Sequence, residues 1–184
     1  MMEIANRLNV THATINYWMK KYAILRRSCS ESAYLKINSG KNPFKLKKRL
    51  NKKENELLLT GLVLFWAEGS KAFRGSIQLA NLDHKMLEIF AKFLREICGI
   101  QENKLRLYVR VYKRFDINSA KRYWARKLKM SPRRVFVYPH TDTRSKANKQ
   151  WSKYGIATLQ FHNVKLWEWL NKSIEDYAAE VLNK

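Results

Sequence analysis

Acidic side chains are scarce in this sequence: 15 Asp and Glu stand against 37 Lys and Arg in 184 residues. The resulting formal net charge of +22 and pI near 10.2 exceed what solubility requires, and they point to a polyanionic partner. A membrane surface is also anionic, but no apolar run reaches spanning length. The start Met1-Met2-Glu3 has neither a basic n-region nor a cleavable signal, so a cytoplasmic, nucleoid-associated protein is expected. Only two cysteines occur, Cys29 and Cys98, which suits a reducing cytosol and excludes a disulfide framework. The four histidines, His12, His84, His140 and His162, do not cluster with them, so no zinc site is expected. Internal repeats are also lacking. The hydrophobic share of 46% is enough for one domain with a sizeable core and a small appendage.

The longest apolar stretch, Leu57 to Ala67, reads as a helix that ends on a lone carboxylate, Glu68. Asn51 is its expected N-cap, with Glu54 reaching back in a capping box. Gly69 is the expected C-cap in the left-handed conformation. Leu58, Leu62 and Trp66 form one stripe and Leu57, Gly61 and Phe65 the next, which predicts burial on all sides. An acid in the last turn opposes the helix dipole and costs about 0.3–1 kcal/mol unless a cation sits nearby.

Before this helix, residues 1–24 read as part of a helix-turn-helix, with a turn at Asn9-Val10 and Thr11 capping His12 to Lys21. Ala5, Val10, Ile15 and Trp18 take the packing positions, and Thr11, His12, Thr14, Asn16 and Tyr17 face outward toward DNA. Such domains carry a further helix before the pair, so the partner surface comes from elsewhere in the fold or from a segment this chain lacks. An ordinary helical hairpin is the plainer alternative. Residues 25–50 form a basic linker in which Glu31 is the only acid, with a turn at 39–43.

After Gly69 the period changes from helical to alternating. A strand is expected over 71–75, another over Ser76 to Ala80, and a helix from His84 to Cys98 capped by Asp83. Residues 104–112 give the clearest strand: the odd positions are all Leu or Val, and the even ones are Lys104, Arg106, Tyr108, Arg110 and Tyr112. One face therefore displays three cations and two aromatics with no acid among them. A helix over 118–129, a strand over Val135 to Tyr138, a basic loop over 140–154, a strand over Gly155 to His162 and a helix over 164–182 complete the domain 51–184. The pattern predicts an α+β fold, an antiparallel sheet with helices on one face.

The segment Gly61 to Gly69 resembles the signature helix of the LAGLIDADG homing-endonuclease superfamily, which ends in an acid followed by glycine. Phe65-Trp66-Ala67-Glu68-Gly69-Ser70-Lys71 followed by Gln78-Leu79-Ala80-Asn81-Leu82-Asp83 is similar to small prokaryotic proteins that join a helix-turn-helix to one such domain. The resemblance spans roughly residues 42 to 180. Val63 stands where the family often has a small glycine, and Gly61 lies two residues earlier. The resemblance implies a saddle-shaped sheet seated in the DNA major groove, with Glu68 and Gly69 as ligands of a divalent metal, Mg2+. It also implies a homodimer, with one signature helix from each copy, through Leu58, Gly61, Leu62 and Phe65.

On such a saddle Gln78, Arg106, Tyr108, Arg110, Thr158 and Gln160 are the expected base contacts, and Arg144, Lys146 and Lys149 bind phosphate. Lys71 and Arg74 follow Glu68 closely, where they polarise the attacking water, hold phosphate, or merely neutralise Glu68. The expected function is metal-dependent DNA cleavage. Two alternatives stay open: a catalytically inactive transcriptional regulator of the same descent, and an RNA-binding module of maturase type, for which aromatics among cations are also suited.

Overall fold

Asn, Asp and Thr residues at the helix starts do the capping their chemistry suits them for. The structure is a computed structural model and describes residues 2–25, 28–38, 42–70, 72–140 and 152–183. The chain divides into two compact units, Met1–Asn42 and Pro43–Lys184.

The first unit holds α1 (Met2–Arg7), α2 (His12–Lys21) and α3 (Cys29–Asn38). Thr11 caps α2 by accepting from the Thr14 amide at 3.2 Å, and Asn9 makes the turn before it with φ +52°. Ala5 and Ile15 are buried as their spacing predicts, whereas Val10 and Trp18 stay exposed. Trp18 stacks on Tyr22 with ring centroids 5.6 Å apart, and the Lys21 ammonium lies 4.9 Å from its ring. The expected linker thus contains a helix, α3, with Glu31 in its first turn. Residues 44–50 belong to the second unit: Phe44, Leu46 and Leu50 pack on its core, and the Lys45 and Lys47 amides donate to the Cys98 and Ile97 carbonyls.

The second unit runs α4 (Lys52–Glu68), β1 (Ser76–Asn81), α5 (His84–Glu96), β2 (Arg106–Tyr112), α6 (Ile117–Lys127), β3 (Val135–His140), β4 (Ile156–His162) and α7 (Val164–Leu182). Both arms of the α4 capping box are present, with Asn51 accepting from the Glu54 amide at 3.0 Å and Glu54 from the Asn51 amide at 3.1 Å. Donation from the Lys47 ammonium and then from the Asn51 amide holds the Glu54 carboxyl below its usual range. Asp83 caps α5, Asp116 caps α6 and Asn163 caps α7. Residues 72–75 are bend and turn rather than the expected strand.

The four strands lie in the order β1-β4-β2-β3. β1 and β2 both pair antiparallel with β4, but β3 runs parallel to β2, so the sheet is mixed where an antiparallel one was expected. The reason is α6. A helix between two neighbouring strands makes a crossover, and a crossover returns the second strand parallel to the first. Leu107, Val109, Ala157, Leu159, Ile77, Leu79 and Val135 point into a single core with Phe65, Phe90, Phe93, Trp124 and Leu170. The helices cover that face and leave the other open. The fold is α+β, and among the described residues no helix is long and apolar enough to cross a membrane.

Two departures concern α4. Gly69 is extended at φ −72° and ψ 136°, not left-handed. It carries the chain straight out of the helix into an antiparallel bridge with Leu79, and the Ser70 amide donates to the Gln78 carbonyl at 3.1 Å. Glycine is needed there for closeness, because a Cβ would lie 2.2 Å from the Phe65 carbonyl oxygen. The helix is also not buried all round. Gly61, Leu62 and Phe65 face the core, while Leu59, Val63 and Trp66 are 40%, 43% and 44% exposed.

Gly61 packs directly on α5: an added Cβ would lie 2.2 Å from Cγ of the fully buried Phe93 ring. Overpacking of this kind costs about 1–3 kcal/mol, against a helix-propensity gain of at most ~1 kcal/mol for Gly→Ala. Gly61→Ala is therefore expected to lower unfolding free energy by about 1 kcal/mol in urea titration, and an unchanged or raised midpoint would show that the ring yields freely.

Candidate nucleic-acid interface

Register builds the open face of the sheet in rows. Pairing of β1 with β4 sets Gln78 opposite Gln160, and pairing of β4 with β2 sets Gln160 opposite Arg106. The next row holds Ala80, Thr158, Tyr108 and Phe136, and the one after it Ile156, Arg110 and Tyr138. Tyr112 and His140 close that end. Arg106 and Arg110 are exposed, while Gln78, Tyr108, Thr158 and Gln160 are half-buried with their polar ends on this side of the pleat.

No outward residue of β1 to β4 is acidic. Among the described residues, neither Arg106 nor Arg110 enters an ion pair. All six expected base-contact residues thus share one face. Lys104 does not, because it ends a short 3-10 turn (Glu102–Lys104) before β2 begins.

Sequence reading missed the β3 contribution. Val135 and Val137 turn inward and Phe136 and Tyr138 outward, an alternation already visible in those four residues. Their rings join Tyr108: centroids lie 5.4 Å from Tyr108 to Phe136 and 6.3 Å from Tyr108 to Tyr138, with interplanar angles of 24° and 20°. Beside them Arg110, Tyr112, His140 and Ile156 line a hollow of about 90 Å³.

Glu68 is exposed at the end of α4, one residue before the bridge to β1. The chain therefore passes from this carboxylate to the edge strand that carries Gln78 within two residues. Its carboxylate and the Gly69 carbonyl are hard oxygen donors, the kind Mg2+ takes while retaining several waters. Among the described residues no three His, Cys, Asp or Glu side chains converge. Lys71 lies outside the described residues, as do Arg144, Lys146 and Lys149. Arg74 is described, and its guanidinium is held by the Glu168 carboxylate of α7, which offsets its charge toward phosphate.

The expected helix-pair surface needs correction. Gly61, Leu62 and Phe65 are buried inside this unit, with Phe65 at 0% exposure, and Leu58 packs at the edge of the core. The outward stripe of α4 is instead Leu59, Val63 and Trp66, spaced four and three apart on one helix face.

In the first unit, Thr11, His12 and Tyr17 are exposed and Thr14 and Asn16 half-buried. Thr11 and Thr14 share a hydroxyl hydrogen bond of 2.8 Å, and Asn16 meets the His12 ring at 3.2 Å. These pairings are solvent-facing, and Tyr17 beside them is 57% exposed with its ring edge-on to Trp18. Cys98 plays no part, since burial pushes its thiol far up and leaves it inert. No family model, curated protein or solved structure matches this chain.

Proposed function

We propose that this protein is a sequence-specific DNA-binding protein acting as a homodimeric, metal-dependent endonuclease of the LAGLIDADG homing type. The observation that carries the reading is the junction of α4 with the sheet. Glu68 ends the helix at the margin of an acid-free face on which Gln78, Gln160 and Arg106 form one row.

Arginine pairs with guanine, and glutamine with adenine, through two hydrogen bonds each at the major-groove edge, so this row is suited to reading base pairs. Arg110 and the remaining cations of a +22 chain add sequence-independent attraction for phosphates. Glu68 and Gly69 would hold Mg2+, with the same two groups of a second copy supplying the other half. When bound, the metal supplies an activated water and stabilises charge on the phosphate and the leaving oxygen. The chain's own part is to fix the duplex against the sheet so that the scissile phosphates lie under the two Glu68 carboxylates.

Selection of bound sites from random duplexes is the direct test. A homodimer predicts a nearly palindromic consensus, because the twofold axis presents the same row to each half-site. Arg106→Ala is expected to lose about 1–3 kcal/mol of discrimination at one position in each half-site while keeping the others. A consensus without symmetry, or uniform weakening at every position, would count against the reading. A palindrome bound tightly but uncut in Mg2+ and Mn2+ would make the protein a regulator of the same descent.

A further inference from the structure

The open face has two halves of different chemistry, and the base-reading row of the proposed function, Gln78, Gln160 and Arg106, occupies only one. Gln78, Gln160, Thr158 and Arg106 suit the edges of paired bases. The β2–β3 half is aromatic: Phe136 and Tyr138 are 36% and 51% exposed beside Tyr108, and Arg110 stands in the Tyr138 row. Paired bases present edges to a groove, not faces, so three rings in nearly parallel planes have little to gain from duplex DNA. Unpaired bases present faces, and stacking on aromatic side chains beside a cation is how single strands are held.

Size agrees. Strands lie about 4.8 Å apart, so three spacings carry β3 about 14 Å from β1, beyond the ~12 Å width of the major groove when the strands run along it. The edge strand then falls outside a duplex seated on the polar rows.

We infer that the Tyr108–Phe136–Tyr138 surface stacks unpaired bases of a DNA strand that continues from a duplex held on the polar half of the same face. The preferred ligand is a duplex with an unpaired stretch rather than a plain duplex. DNA is favoured over RNA because the adjoining rows require a readable major groove, which A-form RNA makes too narrow and deep for side chains. This inference rests on the nucleic-acid reading of the face, though not on cleavage.

Fluorescence anisotropy with the full chain tests it, using a blunt DNA duplex, the same duplex with a single-stranded oligothymidine tail, and the same duplex with an abasic tail of equal length. The thymidine tail is expected to tighten binding about tenfold over the abasic one, which carries the same phosphates without bases. Phe136→Leu combined with Tyr138→Leu keeps apolar bulk on β3 and removes the ring faces. It should abolish that gain and leave blunt-duplex affinity unchanged, which also reports an intact sheet.

Equal binding of the two tails, or an undiminished gain in the double variant, overturns the inference while blunt-duplex binding leaves the parent reading standing. Failure to bind the blunt duplex at all overturns both. Tighter binding of an RNA tail than of the DNA tail overturns the assignment to DNA.

Discussion

Glu68→Gln is expected to abolish metal-dependent nicking of supercoiled plasmid, by about 10³-fold or more, while duplex affinity in the absence of metal stays within a few-fold of the parent. A metal that stabilises the transition state by several kcal/mol is worth at least that factor in rate, and on the proposed reading one carboxylate per copy would hold it. The amide keeps the volume of the acid and loses its charge. In a homodimer both halves of the site are affected at once.

Stability should move the other way. Glu68 is the last residue of α4, and the last turn of that helix contains no basic residue. A carboxylate there opposes the helix dipole, so the neutral variant is expected to gain about 0.3–1 kcal/mol in the metal-free protein. A gain in stability on neutralisation would favour the proposed ligand role of Glu68 over a structural one. Nicking that survives in Glu68→Gln at the parental rate would remove Glu68 from the chemistry. A variant less stable than the parent would show that the carboxylate instead serves the fold.

Signals confined to a few consecutive residues were legible in the sequence. Asn51 and Glu54 lie three apart and form both arms of their capping box; Thr11 and Asp83 cap where their side chains can reach the next free amides. The alternation in β2 and β4 placed Arg106, Tyr108, Arg110, Thr158 and Gln160 on one face, because a strand allows only two.

What escaped needed partners far along the chain. The direction of β3 follows from the crossover through α6, and nothing within Val135 to His140 states it. The extended Gly69 follows from its bridge to Leu79, ten residues later. In α4 the difficulty was excess: with Leu, Val, Phe or Trp on every side, helical periodicity cannot tell the core face from the outer one. Only the approach of Phe93 to Gly61 and the residual exposure of Leu59, Val63 and Trp66 decide it.

That outer stripe yields the second large effect. On the homodimer reading, Val63→Glu with Trp66→Glu should convert the protein to a monomer, raising the dimer dissociation constant by about 10³-fold or more, and should abolish cleavage with it. Burying a Val, Leu or aromatic side chain from half exposure contributes roughly 1 kcal/mol, and the twofold axis doubles each contribution. Replacing two of the three by acids removes most of that gain. It also sets like charges against each other in a desolvated contact, and leaving such charges unpaired costs several kcal/mol more.

The monomer itself should survive, because neither side chain belongs to the core that contains Leu62 and Phe65. Analytical ultracentrifugation reads the association and thermal unfolding reads the fold. Gly61→Ala gives the opposite pattern, a weakened fold through Phe93 with the outer stripe untouched, so the two variants separate packing inside the unit from packing between copies. If the double variant still sediments as a dimer, the axis does not run along α4. Two Glu68 carboxylates would then have no route to one another, and the nuclease reading would fall while the duplex-binding face remained.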